Sequence, residues 1–196
     1  MPISEKDVFD ARTAWGNGLI EISKIFETEG IEMATSIASE MIDNLYAFNF
    51  AKVLFKPTLS GGSQTFRPTK EGALSYFVGH NSAYPNDSGF GIKFWREISS
   101  ETSAIFIDDT VAMWMGWVVL IDRDGQITKV DKSWGYKLDD VGNLRIVLHH
   151  SSLPYELYTF KILRVILKSI SQYSKDTDHL IPFPTTLLRF HLMLLE

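Results

Sequence analysis

Cysteine is absent from all 196 residues. That excludes disulfides, thiolate zinc sites and a cysteine nucleophile. Long apolar runs are missing too: the longest, Val111 to Ile121, falls well short of the roughly 20 residues a membrane-spanning helix needs. Lysine and arginine nowhere cluster densely enough to line a nucleic-acid groove, and the formal net charge is −5, so no nucleic-acid partner is expected. The opening segment, Met1-Pro2-Ile3-Ser4-Glu5-Lys6-Asp7, lacks the basic-then-apolar order of a signal peptide, and a cytoplasmic protein is expected. Internal repeats and low-complexity segments are also missing.

Aromatic residues, by contrast, are abundant: 13 Phe, 7 Tyr and 5 Trp. Such a load fills cores, walls small apolar pockets and builds oligomer interfaces. The length suits one domain, or one domain with an appendage. Near the N-terminus, Ser4 and Asp7 form a capping-box-like start. Val8, Ala11, Trp15, Leu19, Ile22 and Phe26 then recur at steps of three and four, which predicts an amphipathic helix ending at Gly30. Gly16 and Gly18 each weaken it by roughly 1 kcal/mol relative to Ala, a cost that close approach to a sheet would offset. Ala34, Ile37, Met41 and Leu45 mark a second helix.

Ala51 to Phe55 reads as a short strand. Thr69 can cap a short third helix carrying Ala73, Leu74, Tyr76 and Phe77 and ending at Gly79. The pattern then becomes β, with strands expected at Ile92 to Ile98, Ala104 to Asp108, Val111 to Ile121, Gln126 to Leu138 and Leu144 to His150. Asp124-Gly125 and Val141-Gly142 supply turns. Helices followed by a strand meander predict an α+β fold, in which a strongly curved antiparallel sheet folds over the N-terminal helices. After Pro154 the character changes. Phe160, Leu163, Leu167 and Ile170 form an apolar stripe and Lys161, Arg164 and Lys168 a basic one, so residues 156–196 read as an amphipathic C-terminal extension of a domain spanning 1–155.

The stretch His149-His150-Ser151-Ser152 ends the last strand. On a regular strand Val147, His149 and Ser151 share one face, and Ile146, Leu148, His150 and Ser152 the other. A pocket on the first face would receive an imidazole and a hydroxyl two residues apart, suited to a small polar ligand or to a water that must lose a proton. His149 and His150 face opposite ways and cannot chelate one ion without a bulge. Asp122-Arg123-Asp124-Gly125 shares only the opening of a calcium loop and reads as a hairpin turn. Gly16-Asn17-Gly18 follows no strand and is not a dinucleotide fingerprint. Arg67, Thr69 and Lys70 stand at a helix start, where an anion site and a simple capping segment are both open readings.

Four segments occur in order: Phe55-Lys56-Pro57-Thr58, then Phe66-Arg67-Pro68-Thr69-Lys70-Glu71-Gly72-Ala73-Leu74-Ser75-Tyr76-Phe77-Val78-Gly79, then Trp134-Gly135-Tyr136, then Leu148-His149-His150-Ser151-Ser152-Leu153-Pro154. With Trp15-Gly16-Asn17-Gly18-Leu19 they make residues 10 to 155 resemble the iota-class carbonic anhydrases. The resemblance implies a cystatin-like cone of the nuclear-transport-factor type, usually dimeric. It also implies reversible hydration of carbon dioxide to bicarbonate. Several members of that class work without a metal, which implies no cofactor here, while metal use by others leaves manganese or zinc open. Carried onto the matching motifs, the substrate-holding groups are Thr58, Tyr76 and Ser151, with His149 beside them. Ser133-Trp134 departs from the Thr-Phe that relatives often carry, and nothing in the resemblance matches the segment after Pro154. With a reference pKa of about 6.5, His149 is the expected proton-handling group, directly or through a chain of hydroxyls. The alternative is a non-catalytic ligand-binding or assembly module of the same fold.

Overall fold

In the computed structural model, residues 2–155 are described. The amphipathic stripe expected at Phe160 to Ile170 lies outside the described residues. Helix α1 runs from Glu5 to Glu29 and starts in a full capping box: Ser4 accepts from the Asp7 amide and Asp7 from the Ser4 amide. Its buried face carries Val8, Trp15, Leu19 and Ile22. Gly30, at φ +86°, ends α1 and begins α2, Ile31–Leu45. That φ is one glycine adopts without steric cost. The two inner glycines serve different partners. A Cβ on Gly16 would sit 3.2 Å from Ile98 of the sheet, and one on Gly18 would sit 2.7 Å from Met41 of α2. The short β1, Leu54–Lys56, is followed by α3, Lys70–Val78, capped by Thr69.

Four long strands follow: β2 (Trp95–Asp108), β3 (Val111–Asp122), β4 (Ile127–Leu138) and β5 (Leu144–Ser152). With β1 they form one sheet in the order β1-β5-β4-β3-β2. The helices pack on this sheet, as the α+β expectation held. β1 pairs with β5 in parallel; the other neighbours are antiparallel.

The two strands expected at Ile92 to Ile98 and Ala104 to Asp108 are one continuous β2. Its middle, Ser99 to Ser103, has no apolar face because it serves a buried charge. The Arg12 guanidinium of α1 donates to Ser100 (2.9 Å) and Thr102 (3.2 Å) and lies 4.5 Å over the Trp114 ring. Strand β5 departs from strict alternation. Tyr136 pairs with Ile146 but Gly135 with Leu148, so Val147 is an extra, bulged residue. The bulge turns Ile146 onto the core face with His149 and Ser151, where simple alternation had put Val147.

Candidate active site

The parallel pairing of β1 with β5 builds the site. Phe55 aligns with His149 and Lys56 with His150, so Pro57-Thr58 continue beside Ser151. The Thr58 hydroxyl donates to Ser151 Oγ at 2.6 Å, and Ser151 Oγ donates to the Asp131 carbonyl at 3.3 Å. Lys56 Nζ donates to the Ser151 carbonyl at 2.7 Å and fixes the strand end. Ser151 is fully buried and Thr58 nearly so.

Tyr76 comes from α3. Its ring stands among Phe55, Phe77 and Phe90, with centroids 5.7, 5.5 and 5.4 Å away. Its buried hydroxyl has no hydrogen-bond partner among the described residues. Burial raises its pKa, offset in part by the nearby Thr58 hydroxyl and the Thr58 and Leu59 backbone. A buried hydroxyl without a partner is a costly arrangement unless a ligand completes it. Beside Tyr76 lies a cavity of about 20 Å³, also lined by Leu59, Asp87, Phe90 and Lys93. That is enough for one water and little more.

His149 points inward and His150 outward, with His149 only 1% exposed. The His149 ring stacks on Phe55 at 4.6 Å and meets the edge of Trp15 at 5.6 Å. Both of its nitrogens are engaged. Nδ1 is 2.8 Å from the Tyr46 hydroxyl and Nε2 is 2.7 Å from Lys132 Nζ. Trp15 Nε1 in turn donates to Tyr46 at 3.0 Å. Burial, then the Lys132 charge, holds the His149 pKa well below 6.5. Burial also pushes Lys132 down from 10.5 to about 7.

Thus Thr58 and Ser151 are joined, and Tyr76 lies near Thr58. His149 instead belongs to a second chain, Trp15-Tyr46-His149-Lys132. The sequence reading passed over Lys132 and Tyr46. One signal for Lys132 was available: it alternates with Val130, Trp134 and Tyr136 on the one strand face that is otherwise apolar. The segment at Arg67 is no open anion site. Arg67 pairs with Asp87 at 2.8 Å, each side chain 2% exposed, and Ser75 donates to Asp87 as well. Lys70 pairs with Asp43, and Thr69 caps α3.

An α+β domain that buries a joined Thr58–Ser151 hydroxyl pair, with the Tyr76 hydroxyl near Thr58 and Tyr76 lining a water-sized cavity, has the makings of a small-molecule site. The chain matches the family model described as metal-independent carbonic anhydrase over residues 6–153. It is similar to a metal-independent carbonic anhydrase from Nostoc sp., with 46% identity over 154 residues, covering 79% of this chain and 75% of that protein. It is similar as well to the crystal structure of an iota-carbonic anhydrase from a cyanobacterium complexed with bicarbonate. There the TM-score is 0.78 at 46% identity, covering 80% of this chain and 95% of that one. A nuclear transport factor 2-like protein of unknown function from Pseudomonas putida matches with a TM-score of 0.48 at 11% identity, covering 79% of this chain and 89% of that one. The chain belongs to the metal-independent carbonic anhydrase family.

Proposed function

We propose that this protein catalyses the reversible hydration of carbon dioxide to bicarbonate at Thr58, Tyr76 and Ser151. One observation carries the reading: the joined Thr58 and Ser151 hydroxyls are buried, and the nearby Tyr76 hydroxyl is buried with no partner of its own. Carbon dioxide is small and apolar, whereas bicarbonate is charged. A catalyst needs an apolar wall for the first and hydrogen-bond donors where charge develops. The phenyl rings of Phe55, Phe77 and Phe90 supply the wall around Tyr76. Tyr76 donates its free O–H. Ser151 can turn its proton from the long Asp131 contact (3.3 Å) to a substrate oxygen while still accepting from Thr58.

His149 has no nitrogen free to face a water. It therefore acts through its neighbours rather than as the direct base. The same engagement suits a metal-free reaction, since a metal ligand needs an unshared nitrogen lone pair. The outer face of β2 and β3 exposes Phe106, Met113 and Met115, and Phe106 sits directly opposite Met113 across the strands. An exposed apolar patch of this kind marks an interface, and a homodimer through the sheet is part of the proposal.

Initial hydration rates, followed with a pH indicator, test the site. Ser151→Ala and Tyr76→Phe are each expected to lower the rate by roughly 10²–10³, and a chelator to leave the wild-type rate intact. If both variants match wild type while chelation abolishes the rate, the metal-free site is refuted. Bicarbonate binding without turnover would favour the non-catalytic module.

A further inference from the structure

Lys132 is 3% exposed, and its one hydrogen-bond partner among the described residues is His149 Nε2 at 2.7 Å. Counting donors along its chain fixes the protons. Trp15 Nε1–H can only donate, so it donates to Tyr46. Suppose Lys132 were an ammonium. It would donate to Nε2, the neutral imidazole would carry its proton on Nδ1, and Nδ1–H would donate to Tyr46 Oη. The Tyr46 hydroxyl, itself buried, would then have its own proton aimed at nothing. With Lys132 as a neutral amine, Tyr46 O–H donates to Nδ1 and Nε2–H donates to the amine lone pair; two lysine N–H groups, over the Trp15 and Trp134 rings, lack an acceptor in either state, and only the ammonium adds the stranded Tyr46 proton. Buried unpaired donors are costly, so the geometry favours the amine.

The same lysine lies opposite Ser151 across β4 and β5, as its aligned partner. Directly opposed side chains on one face have Cβ atoms about 4.5–5.5 Å apart, so the lysine stem runs beside the substrate hydroxyls. Its Nζ rests 4.4 Å over the Trp15 ring and 5.2 Å over Trp134, a setting that also receives a cation.

We propose that Lys132 is the terminal proton acceptor of the reaction, a resting amine that becomes an ammonium as bicarbonate forms. This rests on the proposed hydration at Ser151. The step balances. The water oxygen bonds to the carbon, one C=O electron pair moves onto its oxygen, and one water O–H breaks. That proton ends on Lys132 Nζ, giving bicarbonate and ammonium side by side from three neutral species. The buried site never holds an isolated charge. If the proton enters at Tyr46, each O–H and N–H along Tyr46 and His149 moves one bond and the imidazole changes tautomer. Loss of the lysine proton to solvent resets the site.

The titratable groups facing this chain are few. They are Asp131 beside Lys132 on β4, His150 beyond His149 on β5, and Lys56 on β1, which feels Asp131. Around Tyr46 are Tyr76 of α3 and the buried Tyr136 of β4, which in turn faces Arg12 of α1. Asp131 is the one that favours the ammonium, and burial outweighs it.

Two measurements on the full chain test the proposal. The first is an NMR titration of lysine side chains, with Lys132 assigned through Lys132→Arg. A lysine titrating near pH 7 is expected; all lysines titrating near 10.5 would overturn the proposal even in a fully active enzyme. The second is the pH profile of kcat/KM for wild type, Lys132→Met and Lys132→Arg. The wild-type profile should rise through about pH 7. Both variants should lose that inflection and fall roughly 10²–10⁴ in kcat, Arg because it cannot give up its proton. A purely structural lysine would leave the profile's shape unchanged in the folded variants, which would also overturn the proposal. Absence of hydration by wild type itself would instead refute the function at Ser151, while the titration still reports on the amine.

Discussion

Burying Lys132 opposes folding at neutral pH, and the sign can be worked out. Its pKa is about 7 folded and 10.5 in the open chain. Between those values the unfolded chain holds a proton that the folded one does not, so stability rises as pH climbs from about 7 to 10.5 and is flat below. At about 1.4 kcal/mol per unit the full span is worth about 5 kcal/mol. Lys132→Met removes that penalty but leaves His149 Nε2 without its partner, which returns about 1–3 kcal/mol. The variant is expected to be about 2–4 kcal/mol more stable than wild type at pH 7, with the advantage gone above pH 10.5. Urea unfolding at three pH values checks this, and a variant less stable at pH 7 than at pH 11, relative to wild type, would contradict it. A lysine kept at such a cost is one whose chemistry matters more than its packing.

At the scale of the element, β5 is set by one extra residue. The bulge at Val147 lets Ile146, His149 and Ser151 all face inward, although their spacing of three and two breaks the strand period. Gly135 of β4 sits at the register shift. A Cβ there would come within 2.9 Å of the Leu148 Cβ, an atom tied to backbone that cannot swing away. Gly135→Ala is expected to cost about 1–3 kcal/mol and to disturb the pairing that holds His149 opposite Trp134. Thermal melting and hydration rates of that variant are the measurement; unchanged values in both would mean the two strands slide freely. The bulge was invisible in the sequence because nothing in Ile146-Val147-Leu148 distinguishes a bulged residue from a paired one. The helix stripes were legible because each turn of α1 repeats the same demand for an apolar contact.

For the whole molecule, the compact unit Met1–Pro154 contains every residue of the candidate site. A chain ending at Tyr155 is therefore expected to unfold cooperatively, to behave as a dimer in light scattering at micromolar concentration, and to keep its hydration rate. Loss of cooperative unfolding would show that residues beyond 155 belong to the core. A monomer would remove the dimer through the sheet.

The sequence by itself determined the helix boundaries at Ser4, Gly30, Thr69 and Gly79, the inward pairing of His149 with Ser151, and the family. These depend on local chemistry: a cap needs a side chain at one place, and alternation holds over the two residues from 149 to 151. Only the tertiary structure decided what those residues touch. Thr58 reaches Ser151 because β1 runs parallel to β5, a long-range pairing between segments that nothing local marks as partners. The polar middle of β2 stays in the strand because it pairs with β3, and its Ser100 and Thr102 hydroxyls receive Arg12 of a distant helix. His149, expected to handle a proton directly or through hydroxyls, is the middle of a buried chain because Tyr46 and Lys132 arrive on its two nitrogens from separate elements. A side chain's pKa follows from its burial and its neighbours, and both are fixed only when the chain closes on itself.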